Sequence, residues 1–119
     1  MNFKDLPIIS PLQKALEKLE FVEATPIQEK VIPLAVEGKD VLWVAQTGSG
    51  KTLAFALPIL QNIYNIRLER EGKDAKVVRK IQALIVAPTR ELAIQIWETF
   101  TPYATNTNLK CTTIFGWVN

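Results

Sequence analysis

Histidine is absent from the 119 residues, and cysteine occurs once, at Cys111. No disulfide can form within the chain, and the usual zinc centres, built from several histidines and thiolates, have no ligand set. No apolar run approaches the roughly 20 residues that cross a bilayer. Nor does the N-terminus combine a basic stretch, an apolar run and a small-residue cleavage site. The expectation is a cytoplasmic protein in a reducing compartment, without membrane contact. Neither sign of charge dominates: 14 Lys and Arg stand against 12 Asp and Glu, a net +2. Capture of a polyanion needs a clustered basic surface, so nucleic-acid binding has to be argued from motifs. Glycine is scarce too, with five in the chain, yet two of them, Gly48 and Gly50, stand two residues apart.

What is present is ordinary for a soluble globular domain, 48% hydrophobic and 22% charged. One domain of this length buries about 65% of its unfolded surface, enough for a core without staples if the fold is complete.

The stretch Ala45-Gln46-Thr47-Gly48-Ser49-Gly50-Lys51-Thr52 lies between an apolar run, Val41 to Val44, and a helical pattern from Leu53 to Tyr64. A glycine-bearing turn between strand and helix is the setting of a phosphate-binding loop. Gly48 and Gly50 let the backbone turn its N–H groups inward, and a helix starting near Lys51 points its positive dipole end into the same space. Lys51 can reach the outer phosphates and the Thr52 hydroxyl can hold Mg²⁺. The pattern G-x-x-x-x-G-K-S/T is met at Gly50, Lys51 and Thr52, while Ala45 takes the place of its first glycine.

Met1 to Ile9 reads as an extended arm with one aromatic, Phe3. Ser10-Pro11-Leu12-Gln13 supplies an N-cap, a first-turn proline and a capping-box glutamine, and Leu12, Ala15, Leu16 and Leu19 follow at helical spacing. Thr25-Pro26-Ile27-Gln28 repeats the signal for a second helix, with Pro33 as a kink and Gly38 as a stop. Val41 to Val44 reads as a strand buried on both faces, hence in a parallel sheet. From Arg67 to Lys80 six basic and three acidic residues give a local +3, read as a solvated helix end and loop. Ile81 to Ala87 is a second strand, Thr89 caps a helix through Phe100, and Lys110 to Phe115 is a third strand. This order predicts an α/β domain, a parallel sheet with flanking helices and right-handed crossovers, whose ligands bind beyond the carboxyl ends of the strands.

Taken together, these residues resemble the N-terminal part of a DEAD-box RNA helicase. Phe3, Phe21 and Thr25-Pro26-Ile27-Gln28 resemble the Q motif with its upstream aromatic. Ala45 to Thr52 is similar to motif I, which in that family begins with alanine, and Pro88-Thr89-Arg90-Glu91-Leu92-Ala93 to motif Ia. The resemblance implies a partial RecA-like P-loop NTPase domain over residues 1–119, with a Q-motif region at 1–40 and a phosphate-loop and motif Ia region at 41–119.

It also implies roles. Gln28 would read the adenine edge of ATP, with closure of the Thr25 capping box as its structural alternative. Phe3 would stack on the adenine, or else anchor the terminus. Lys51 would neutralise the β and γ phosphates, Thr52 would ligate Mg²⁺, and Thr89 and Arg90, with Pro88, Glu91 and Gly116, would line the RNA backbone without reading bases. Gly116-Trp117 departs from the family's usual glycine pair, and Trp43 stands where a small residue is usual. The D-E-A-D and S-A-T motifs and the second RecA-like domain do not occur before Asn119, so the isolated chain is expected to bind without hydrolysing ATP or unwinding RNA. An unfinished sheet would expose edges that favour self-association. Two alternatives stand beside this reading: a non-catalytic nucleotide-binding or assembly fragment, and a P-loop NTPase acting on DNA or protein.

Overall fold

The computed structural model describes residues 1–44, 50–71 and 81–114. Ala45 to Ser49, the charged stretch from Gly72 to Lys80, and Phe115 to Asn119 with Gly116 and Trp117 lie outside them. The described chain begins with one 3₁₀ turn, Phe3–Asp5. Four helices follow: α1, Ser10–Lys18; α2, Pro26–Val36; α3, Lys51–Glu71; and α4, Arg90–Asn106. α3 packs against α2 and α4, and α1 packs against α4. Leu12 and Leu16 of α1, Ile32 of α2, Leu57 of α3, and Phe100 and Tyr103 of α4 meet in the core.

The predicted start of α1 needs correction. Ile9, not Ser10, is its N-cap, and no side chain caps it. Gln13 instead donates through Nε2 to the Phe3 carbonyl at 2.7 Å, so the glutamine ties the arm to the helix. A second carboxamide holds the arm further along. Gln61 of α3, buried, accepts from Ile9 N–H and donates to the Pro7 carbonyl, both at 2.9 Å.

Three helices stop by the same device. After α1, Phe21 N–H bonds Leu16 C=O and Glu20 N–H bonds Glu17 C=O; Lys39 and Gly38 repeat this after α2, and Leu109 and Asn108 after α4. The residue just past each C-cap takes the left-handed conformation, with φ of +64° at Glu20, +83° at Gly38 and +61° at Asn108. Glycine and asparagine suit that position. Glutamate pays a steric cost there, because its Cβ approaches the following carbonyl.

Prolines stand inside α2, α3 and α4 at Pro33, Pro58 and Pro102 without ending them. α4 therefore runs beyond Phe100, its predicted end. Along it Thr99, Thr101 and Thr105 each donate to the carbonyl four residues back. Tyr103 is buried with no hydrogen-bond partner for its hydroxyl among the described residues, and desolvation pushes its pKa up to about 12.

The three predicted strands do not form ladders among the described residues, where the only bridge is the antiparallel pair Asn2 and Glu23. Burial on both faces is also not what is found. Exposure alternates along Val41 to Val44, from Leu84 to Ala87 and along Lys110 to Ile114, the period of an extended chain covered on one side. Leu42 and Val44 are 96% and 97% exposed, and Leu84, Val86 and Ile114 also face outward. The inward residues account for the attachment: Ile85 and Cys111 pack on the helical core, and Trp97 Nε1 donates to the Cys111 carbonyl. The helices described cover one face of these apolar runs, not two.

Candidate functional site

α2 begins at Pro26 because Thr25 stays extended, with φ −74° and ψ 162°, and proline preforms the first helical turn. Gln28, at the third helical position, turns its side chain back so that Oε1 accepts from Thr25 N–H at 2.8 Å. The same carboxamide reaches across to α3, where Nε2 donates to the Gly50 carbonyl at 3.3 Å. That oxygen also accepts from Ala54 N–H at 3.2 Å, the first hydrogen bond of α3. Gln28 is buried, so these bonds join the starts of two helices inside the protein.

Gly50 is required at this junction for two reasons. Its φ is +85°, and a Cβ there would lie 2.4 Å from Gln28 Nε2 and 3.0 Å from Thr25 Oγ1. Lys51 and Thr52 follow at once in the first turn of α3, both half-buried, where first-turn N–H groups and the helix dipole favour an anion.

A polar ligand has groups to meet here. Thr25 Oγ1 is buried beside the Gln28 N–H in the capping box, and its hydroxyl hydrogen has no acceptor among the described residues. A carboxamide has two donor hydrogens and two acceptor lone pairs. The two bonds of Gln28 to Thr25 and Gly50 take one of each. One donor and one acceptor stay available, the complement of the N6 and N7 edge of adenine. The residues present therefore fit an adenine nucleotide with its phosphates toward Lys51 and Thr52. Ala45, Gln46, Thr47, Gly48 and Ser49, named from the sequence as the cradle, lie outside the described residues.

The two aromatics of the Q-motif resemblance fare differently. Phe3 is 1% exposed and belongs to the core, so its ring has no face left for a base and its predicted stacking is corrected to anchoring. Phe21 is 48% exposed, in the segment that leads into Thr25. At the other predicted interface, Pro88, Thr89, Arg90 and Glu91 are all exposed. Thr89 Oγ1 accepts from Leu92 N–H at 3.1 Å and so caps α4. Its hydroxyl hydrogen remains to donate, beside the N-terminal N–H groups of that helix. Gln13 and Gln61 escaped notice as arm-holding residues. For Gln61 the signal was there, a carboxamide following the apolar positions Leu57 and Leu60.

The DEAD/DEAH box helicase family model matches residues 25–119. Among curated proteins, the chain is 47% identical over 115 residues to ATP-dependent rRNA helicase RRP3 of Pyricularia oryzae, covering 97% of this chain and 19% of that protein. It is 46% identical over 116 residues to DEAD-box ATP-dependent RNA helicase CshA of Streptococcus pneumoniae, covering 98% and 20%. The chain thus spans about a fifth of the length of these relatives. A DEAD box protein from the hyperthermophile Methanococcus jannaschii superposes with a TM-score of 0.82 at 35% identity, over 100% of this chain and 30% of that one. RNA helicase Prp28 from Chaetomium thermophilum, solved bound to ADP, gives 0.77 at 32% identity, over 99% and 27%.

Proposed function

From the premise that this chain belongs to the DEAD/DEAH box helicase family, we propose that it is the adenine-nucleotide-binding and RNA-contacting part of an ATP-dependent RNA helicase. Its fold is a partial RecA-like domain. The observation that carries the proposal is the Gln28 carboxamide, buried between Thr25 and Gly50 with one donor and one acceptor to spare. Such a group accepts adenine and rejects guanine, whose corresponding edge offers O6 and N7 and no donor.

In this reading Gln28 and Thr25 hold the base, with Phe21 against its face. Gly50 lets the chain pass close beneath Gln28, and Lys51 with the first-turn N–H groups of α3 binds the outer phosphates. Thr52 is the Mg²⁺ ligand, and the metal supplies charge neutralisation at the phosphoryl oxygens when bound. Thr89, Arg90 and the start of α4 hold the RNA sugar-phosphate backbone, which makes binding tolerant of sequence and sensitive to salt. The alternating segments 41–44, 84–87 and 110–114 are strands of a parallel sheet in the whole domain, supported by their period-two exposure. Unwinding of short RNA duplexes coupled to ATP hydrolysis belongs to the whole protein, and the 119 residues alone bind without turnover. A cytoplasmic setting is part of the same proposal, consistent with the one unpaired cysteine.

Calorimetric titration with ADP and GDP tests the assignment. ADP should bind and GDP should not, and Gln28→Ala should abolish the difference. Equal affinity of the unaltered chain for both nucleotides would refute the base-reading role.

A further inference from the structure

Three extended segments lie along one side of the α3–α4 pair. Trp43 packs on Phe55 of α3, and Phe55 on Phe100 of α4. Trp97, one turn before Phe100 on the same face of α4, donates to the Cys111 carbonyl. Segments 41–44 and 110–114 therefore rest on the same side of these helices. Segment 84–87 is held through Ile85, which packs on the same core, and it leads directly to Thr89, the N-cap of α4. None of the three makes a backbone ladder among the described residues.

Away from the helices these segments turn Leu42, Val44, Leu84, Val86 and Ile114, each 83–97% exposed. A Val, Leu or Ile side chain offers roughly 60–120 Å² of apolar surface, so the five amount to roughly 300–600 Å². That is the size of the largest apolar patch on an ordinary monomer, and such patches commonly mark interaction surfaces. Charge is thin on this side. Asp40 and Lys110 flank the segments, and no charged residue lies in 41–44, 84–87 or 111–114. A polyanion would find no basic cluster here, whereas scarcity of charge is what the centre of a protein interface shows. The fitting occupant is another apolar, extended stretch of polypeptide. The open side of this chain is itself such a surface.

We propose that the open side carrying segments 41–44, 84–87 and 110–114 is a homotypic interface, on which a second copy of this chain seats the same apolar residues about a twofold axis. Two copies joined in this way cover roughly 600–1,200 Å² with these side chains alone. The segments' main chain and the exposed Thr112 bring the total to the lower end of specific interfaces, about 1,200 Å². An interface of that size is reversible, and a twofold one closes on itself and stops at two copies. The contact is made by outward side chains, so it differs from pairing of exposed strand edges. It does not rest on the nucleotide reading above.

Sedimentation equilibrium of the 119-residue chain from about 1 μM to about 100 μM tests this. The average mass should rise from one chain to two and level there. Leu42→Lys and Leu84→Lys should each weaken the dimer at least tenfold, because the twofold axis sets every added charge into the apolar contact twice. Both positions point away from the core, so the melting temperature of the dilute, monomeric protein should not change. Leu34→Lys, on the exposed flank of α2, should leave the dimer intact. A single-chain mass at every concentration overturns the proposal and leaves the open side to a different polypeptide. A mass that climbs past two chains overturns the closed pairing. A dimer that survives both Leu42→Lys and Leu84→Lys, or that Leu34→Lys weakens equally, overturns the assignment to this side.

Discussion

Gln28 and Gly50 are joined through one carbonyl oxygen, which accepts from Gln28 Nε2 at 3.3 Å and from Ala54 N–H at 3.2 Å. The Gln28 side chain is thereby fastened to the residue immediately before Lys51. Gly50→Ala would place a methyl group 2.4 Å from that nitrogen on a backbone already at φ +85°. Loss of ADP binding is expected, with destabilisation of about 1–3 kcal/mol in urea unfolding.

Gln28→Leu keeps the volume but removes the polar contacts. Thr25 N–H then has no acceptor, and stability should fall by about 1–3 kcal/mol. Calorimetry should show ADP binding falling to the GDP level, which separates this variant from one that merely loosens α2.

Glu20→Gly should stabilise. Glu20 occupies the same left-handed position after α1 that Gly38 holds after α2 and Asn108 after α4. Relief of the Cβ contact outweighs the added freedom of the unfolded chain, for a gain of about 0.5–1 kcal/mol and a melting temperature higher by about 3–6 °C. Gly38→Ala, with open space around its Cβ but φ +83°, should lose a similar amount.

Tyr103→Phe should leave stability unchanged or slightly raised near neutral pH, because no bond of the hydroxyl is lost among the described residues. At high pH the variant should pull ahead. The folded pKa of about 12 lies above the ordinary value of 10.0, so the stabilisation tied to the neutral phenol is complete below pH 10. It is lost as pH rises toward 12. Denaturant midpoints measured through that window should fall more steeply for the unaltered protein.

Gln61→Leu should cost about 2–3 kcal/mol, since Ile9 N–H and the Pro7 carbonyl lose their partner at once. Amide exchange at Ile9 should accelerate more than at residues of α2, marking the arm as the part released.

Helix positions were legible in the sequence where local chemistry decides them. Thr25-Pro26 and Thr89 mark true starts, and Gly38 marks a true stop. Ser10 misled because Gln13, its expected capping-box partner, found an acceptor instead in the Phe3 carbonyl, ten residues back along the chain but adjacent in space. Pro102 gave no helix end because packing of Phe100, Tyr103 and Ala104 holds α4 across it. The site was legible as a set of residue types, Gln28 with Gly50, Lys51 and Thr52. That Gln28 bonds the residue before Lys51 could not be read, since it depends on how α2 docks on α3. Phe3 carried two readings in the sequence, stacking or anchoring, and its burial in the core decides for anchoring.

Trp43, whose bulk had no rationale in the sequence, packs its ring 6.2 Å from Phe55 of α3, and Phe55 lies 6.0 Å from Phe100 of α4. The indole thus stands two residues ahead of the phosphate-loop stretch and rests on the helix that begins with Lys51 and Thr52. The protein carries its own optical reporter. With Trp97 and Trp117 replaced by phenylalanine, emission from this one ring would follow nucleotide arrival in real time, with no dye attached.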